Sequence, residues 1–431
     1  MRSVVVVGAG VVGLSVALWL LRRGHRVTVL DPAPPLPGVD YRGACSFGNA
    51  ATIAVNACLP MAGPGILAQV PRMLADRSGP LTIFWRDLPG LLPWLWLFLR
   101  AGSPARFEHG VRVLGGLMRL AEDGHAPLMA ECGAARLRRA GATLHLFHTP
   151  ASLAAALPGI HKRAGQGVRF ELLDAPAVRA TEPALAPLYH GGVRYPDAYG
   201  LDDPLAYAAA LAGAILSRGG RFVRSRARAI TPRPHGVEVI AEGEALTADH
   251  VILAAGAWSA RLAATLGDRV PLGTERGYHV MFPDGAGLLS APVMYPEHGF
   301  YMSPLGPGLR CAGTVELGGL DRPPRPRRCT AMVGKARRLL PGLGAQGEDW
   351  LGFRPSTPDG LPVIGPSPAD PRVLHAFGHG HVGLTLAGLT GRIVADLVDG
   401  RPPPVDIAPL RPDRFAGPFG RPRGAGAPLT A

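Results

Sequence analysis

The chain is 431 residues long, 47% apolar, and carries a formal net charge of +13. That length holds two domains or one large composite fold, with ample apolar content for a core. The excess charge is almost all arginine, since Lys162 and Lys335 are the only lysines. No basic patch is interleaved with aromatics, so no nucleic-acid partner is expected and only a general preference for anionic ligands or surfaces remains.

The opening stretch carries the strongest pattern. Val4 to Val7 form a β-branched run of the kind a buried parallel strand needs. Gly8-Ala9-Gly10-Val11-Val12-Gly13 follows, then a helical apolar pattern from Leu14 to Leu21 that stops at Gly24. A second strand, 26–30, ends in Asp31, eighteen residues beyond Gly13. Gly8 permits the tight turn, Gly10 the approach of a pyrophosphate, and Gly13 close packing of helix on strand. Free amides at the helix start face the phosphates, and Asp31 accepts hydrogen bonds from the adenosine ribose. This predicts a dinucleotide site without deciding between FAD and a nicotinamide.

Residues 43–51, small and polar, are either a ligand-facing loop or an ordinary surface loop. The apolar stretch 81–99 is interrupted by Arg86, Asp87, Pro89 and Pro93 and is too short to span a bilayer. It is either a buried helix of a second domain or, with Trp85, Trp94 and Trp96 near Arg86 and Arg100, a segment that dips into a membrane interface. A long helix is predicted over 110–133 and strands over 143–148 and 168–173. A short helix covers 177–185, and Asp202-Asp203-Pro204 caps another. Strands follow at 222–230 and 237–240, and Val251 to Trp258 returns to the strand-into-turn pattern. The nucleotide fold is therefore interrupted by an inserted domain. Antiparallel strands are predicted across 270–319 and a helix over 331–340.

The domain reading is discontinuous. Residues 1–60, 197–268 and 350–400 make the nucleotide-binding domain, and 61–196 with 269–349 the substrate domain. Residues 401–431 form a Pro/Gly/Arg-rich tail, mostly extended or disordered. The fold class is α/β (α+β overall), a Rossmann-like domain interrupted by a domain with a mixed or antiparallel sheet. Cys45, Cys58, Cys132, Cys311 and Cys329 are scattered with no CxxC pair. That is the usage of a reducing compartment, so no disulfide framework or metal site is expected. The first residues are already a strand, which leaves no cleavable signal peptide, and a cytoplasmic location is expected.

The second decisive stretch is Gly352-Phe353-Arg354-Pro355-Ser356-Thr357-Pro358-Asp359-Gly360-Leu361-Pro362-Val363-Ile364-Gly365. After a strand at 373–377 comes Gly378-His379-Gly380-His381-Val382-Gly383-Leu384-Thr385, opening a helix over 382–398. A helix start here puts a second positive dipole end near a ligand, suited to the charge a reduced flavin carries on its pyrimidine edge. Alternatively these glycines only let strand and helix pack tightly.

Together these segments resemble the flavin amino-acid oxidoreductases of the D-amino acid oxidase type, most closely the bacterial D-amino acid dehydrogenases. The resemblance also rests on Ala44-Cys45-Ser46 to Asn49, Ala255-Gly256-Ala257-Trp258 and Arg276-Gly277-Tyr278. It implies FAD, held by Gly8, Gly10, Val12, Gly13 and Asp31, by Ser46 and Asn49, and by Ala227, Gly256 and Trp258. It adds Gly352, Gly380, His381, Val382, Gly383 and Thr385. In the related sarcosine oxidases a cysteine links to the flavin from a position that falls near Gly352 here, so FAD is expected to be noncovalent.

Arg354 matches the family arginine that grips the substrate carboxylate, a pairing that suits a guanidinium fork. An ordinary salt bridge to a protein carboxylate is the competing reading. Tyr301 matches a carboxylate-binding tyrosine, while a second such tyrosine is replaced by Leu305. Tyr278 and His379 are further candidates beside the ring. The resemblance implies oxidative deamination of a D-amino acid to the 2-oxo acid and ammonia, by hydride transfer from Cα to flavin N5 with no assigned side-chain base. Oxidation of a secondary amine (a D-proline analogue, an opine or sarcosine) is the alternative, alone or as one subunit of a hetero-oligomer. Electrons would pass to a quinone or another acceptor, with residues 84–99 as a peripheral contact on the inner face of the cytoplasmic membrane.

Overall fold

The computed structural model of the protein describes residues 1–66, 70, 79 and 81–415. Val4 to Val7 are buried on both faces, as a central parallel strand requires. The strand Ser3–Val7 pairs in parallel with Arg26–Leu30 on one side and His250–Leu253 on the other. Arg221–Val223 and Val373–Phe377 extend the sheet in parallel, and Val363–Pro366 closes one edge antiparallel. Three distant stretches of chain thus build one six-stranded sheet.

The helix Val11–Arg22 leaves the first strand and packs against the last helix, Gly383–Val398. Contact is close because Gly391 lies where a Cβ would come within 2.7 Å of the Ser15 carbonyl oxygen. Gly380–Val398 is long and apolar enough to cross a membrane by length and composition, but most of it is buried inside the fold. It is also crossed by Ala121–Glu131, where Gly124 backs onto Gly388. The single helix expected over 110–133 is therefore two, Pro104–Arg119 and Ala121–Glu131.

The inserted chain forms a nine-stranded mixed sheet. Its long antiparallel part runs Asp349–Ser356, Gly273–Phe282, Gly308–Leu317, Phe300–Leu305. Val293–Tyr295 then joins it to Thr143–Phe147, Gly191–Tyr195 and Glu171–Asp174. The expected 350–400 nucleotide segment is consequently divided. Asp349–Ser356 is the edge strand of this larger sheet, held along Gly273–Phe282 from Gly273↔Ser356 to Val280↔Asp349. The cavity is lined by residues of both sheets.

Two other expectations are corrected. Of the helix Leu88–Ala101 only Trp94 and Ala101 are buried, so it is not a core helix. Trp94 points inward and donates from Nε1 to the Ser356 carbonyl at 3.1 Å, whereas Trp85, Leu92 and Trp96 are exposed. The tail expected to be unstructured is docked as far as Phe415: Leu410 is buried, and Arg414 forks onto Asp359 and the Leu361 carbonyl. Residues 416–431 lie outside the described residues.

Candidate active site

A cavity of about 1230 Å³ runs from the opening glycines to the larger sheet. That exceeds the roughly 300–1,000 Å³ of ordinary small-ligand pockets and leaves room for a dinucleotide and a small substrate together. At one end, Gly8 turns with φ +111°, which a side chain would resist, and Gly13 lies where a Cβ would sit 1.9 Å from the Gly8 carbonyl oxygen. Gly10 faces the cavity at the helix start, where no side chain caps the helix. The Val11 N–H donates to Ser46 Oγ at 2.9 Å.

Asp31 sits at the end of its strand with Oδ2 accepting from the Ala9 N–H at 2.7 Å and Oδ1 from Ala33 at 2.8 Å. Burial pushes its carboxyl up, against the pull of those amides. Val12, Ala227, Gly256 and Trp258 complete this wall. A glycine turn into a helix start, with an accepting carboxylate at the end of the second strand, is the arrangement a dinucleotide takes.

The 43–51 loop lines the middle of the cavity, so it is ligand-facing. Asn49 shapes it, donating to the Ser46 carbonyl and accepting from the Ala51 N–H. The buried Arg310 clamps it, donating from Nη1 to the carbonyls of Phe47 and Asn49. Burial lowers that guanidinium to about 10. Trp350 lies against Gly48 and Gly352, since a Cβ on either glycine would enter its ring.

Arg354 faces the far end. Its Nη1 donates to the Thr314 carbonyl at 2.9 Å, and among the described residues it makes no ion pair. Its guanidinium lies over Gly277, where a Cβ would come within 2.4 Å of the Cζ. Thr314 holds its carbonyl in place from a left-handed backbone, φ +60°. A half-buried guanidinium with one carbonyl partner among the described residues and a cavity in front of it is an anion site. Tyr301 borders the cavity with its hydroxyl 3.1 Å from His145 Nε2, and burial lowers that imidazole to about 3.

Not every expected residue is at the cavity. Along Gly273–Phe282, Glu275 and Gly277 face it, so alternation turns Tyr278 to the other side. There the Tyr278 hydroxyl donates to Glu316 Oε1 at 2.9 Å and accepts from the Arg325 N–H. Val382 is buried in the core, and Thr385 Oγ1 accepts from the Ala54 N–H, bracing the loop from behind. His379 borders the cavity, yet its Nε2 is 2.9 Å from Thr390 Oγ1, and burial lowers the ring to about 3. Gly380, His381 and Gly383 do line it, at the start of the last helix.

Sequence reasoning missed Glu275, Thr314 and Arg310, and named Trp94 only as part of the 81–99 stretch. Only Glu275 left a signal: two residues before Gly277 on one strand, it shares a face with any residue that makes room for Arg354.

A family profile described as FAD dependent oxidoreductase (DAO) matches residues 3–397. A D-amino-acid oxidase of Bradyrhizobium diazoefficiens is 38% identical over 421 residues, covering 96% of this chain and 99% of the relative. A D-amino acid dehydrogenase of the same organism is 33% identical over 428 residues, 97% and 100% of the two chains. The glycine oxidase of Geobacillus kaustophilus superposes with a TM-score of 0.73 at 24% identity, over 97% of this chain and 100% of that one. With the glycine cradle and Asp31 at one end of the cavity and the Arg354 guanidinium at the other, the chain belongs to the DAO family of FAD-dependent oxidoreductases and is an FAD-dependent enzyme of amino-acid oxidation.

Proposed function

We propose that this enzyme oxidises a D-amino acid with a primary amine to the 2-oxo acid and ammonia. The observation that carries the reading is Arg354, a guanidinium without an ion-pair partner among the described residues, facing the cavity that the glycine cradle opens. The D configuration is supported by the names of relatives at 38% and 33% identity.

Gly8, Gly10, Asp31, Ser46, Ala227, Gly256 and Trp258 would hold FAD along one wall, with Gly380 to Gly383 presenting a helix start to it. Bound FAD supplies the two-electron acceptor for the Cα hydride. Arg354 grips the substrate carboxylate in a bidentate pair and so fixes where Cα–H points, a positioning effect that accounts for much of such rate enhancements. Ile83, Trp94, Leu95, Phe98 and Leu317 line the neighbouring wall and exclude water, which favours the neutral amine over the ammonium. A noncovalent FAD belongs to the same reading, because the position from which the related sarcosine oxidases link a cysteine falls near Gly352 here; acid precipitation should release all of the yellow colour into the supernatant.

Anaerobic bleaching of the purified chain by a panel of D-, L- and N-alkyl amino acids tests the reading. Primary D-amino acids should bleach it at catalytic rates. Bleaching by N-alkyl substrates alone would transfer the chain to secondary amines, and no bleaching without an added subunit would make it one part of a larger enzyme.

The electron acceptor belongs to the same proposal. Trp85, Leu92 and Trp96 form an exposed apolar face beside Arg86 and Arg100, the chemistry of a membrane interface. On this reading the enzyme works at the inner face of the cytoplasmic membrane and reduces a quinone. Trp85→Ser with Trp96→Ser should weaken liposome binding several-fold while dye-linked turnover persists. Stoichiometric hydrogen peroxide in place of reduced quinone would assign oxygen as the acceptor.

A further inference from the structure

Beside Arg354 the cavity holds a carboxylate that the reaction as derived does not use. Glu275 is Arg354's direct cross-strand partner in the register of the larger sheet. Both side chains face the cavity, and directly opposed residues on one face lie about 5 Å apart at Cβ. Glu275 is 93% buried by its 7% exposure, and its Oε2 accepts from His381 Nε2–H at 2.6 Å. The His381 side chain keeps 35% of its surface open, at the start of the last helix. This leaves His381 Nδ1 without a protein partner among the described residues.

An α-amino acid carries its carboxylate and its ammonium on neighbouring bonds. A guanidinium and a carboxylate side by side on one wall match those two charges. We propose that Glu275 and His381 are the amine-side half of the substrate site, with His381 Nδ1 taking the ammonium proton and Glu275 holding the resulting imidazolium. The inference rests on the amino-acid reading of the Arg354 site.

The balance is simple. The N–H bond of the ammonium breaks and its proton forms the Nδ1–H bond of His381. The freed lone pair becomes the second bond of C=N as the Cα–H electron pair leaves in the two-electron oxidation that FAD accepts. A carboxylate behind an imidazole fixes its tautomer and stabilises its charged form, the arrangement that serves proton transfer in hydrolytic triads.

The charged groups around the pair agree. Burial pushes the Glu275 carboxyl up, but His381 and the Arg354 guanidinium hold it below the usual carboxylate range, so it is ionised when it must hold an imidazolium. Cys45, from the 43–51 loop, is a neutral thiol whose ionisation burial pushes up. Arg276 and Glu316 pair with each other away from the cavity, on the side to which Tyr278 turns.

The test is the pH dependence of anaerobic bleaching by a D-amino acid in Glu275→Gln and His381→Gln, alongside the flavin absorbance shift on binding propanoate, a carboxylate with no amine. Both variants should still bind propanoate, Glu275→Gln at least as tightly as the parent because it removes a negative charge beside Arg354. Their bleaching at pH 7 should fall roughly 100-fold, within the range for a lost general base. In His381→Gln the rate should then climb about tenfold per pH unit as the free-amine fraction grows. Unchanged rates, or an equal loss at every pH, would overturn the inference, as would loss of propanoate binding in both variants. Propanoate binding that survives Arg354→Leu would instead sink the carboxylate site on which the inference rests.

Discussion

Replacing Arg354 with leucine should lower kcat/KM for a D-amino acid by about 2–5 kcal/mol, on the scale of truncating one partner of a buried, hydrogen-bonded charge pair. The substrate carboxylate would enter a cavity whose apolar wall excludes water and find no cation. The same wall that makes the pairing strong makes its loss severe. Stability should fall modestly, because the guanidinium favours the ionised form of the buried Glu275, while its hydrogen bond to the Thr314 carbonyl is a single neutral contact. Arg354→Lys should recover only part of the loss, since an ammonium keeps the charge but not the planar fork. Steady-state kinetics beside thermal melts of both variants check this, and parental kinetics in Arg354→Leu would remove the residue from the site.

Gly13→Val should give a protein that is purified colourless and melts well below the parent. The Cβ would sit 1.9 Å from the Gly8 carbonyl oxygen and 3.0 Å from the Gly8 carbonyl carbon. Neither atom belongs to a flexible side chain, so helix and strand must separate. Separation moves the Gly10 and Val11 amides away from the cavity and costs about 3 kcal/mol or more, at the upper end of overpacking effects. Gly334→Ala is the control. It lies within the helix Pro326–Leu339 with nothing inside 4 Å of its Cβ position, and should hold FAD and gain about 0.5–1 kcal/mol. Absorbance of the purified variants and their Tm values decide the matter.

The nucleotide end was legible because its signals are local. A β-branched run, spaced glycines and an acid at the next strand's end are each fixed by contacts within some thirty residues. Val373–Phe377 was placed to the residue for the same reason. The substrate end depends on alternation, where one residue reverses the side. Tyr278 was expected at the cavity and lies behind it, while Glu275 lies at the cavity and carried no motif of its own. Composition could not separate a buried helix from an exposed one over Leu88–Ala101, because tryptophan suits both a core and an interface. The docking of Arg414 onto Asp359 depends on two segments that only the folded chain brings together.

The six-stranded sheet has a consequence for how the protein is made. Its central valine strand gains its second flank only from His250–Leu253, and that strand in turn gains its own outer partner only from Val373–Phe377. A ribosome must therefore deliver almost the whole polypeptide before the cradle can close. Until then the emerging N-terminal half presents a bare, sticky strand edge, the kind of surface that trigger-type holding factors shield and that aggregates when synthesis outruns them. Overproduction should accordingly be limited by the supply of such helpers during translation, and a message cut before codon 373 should yield insoluble product however much riboflavin is fed.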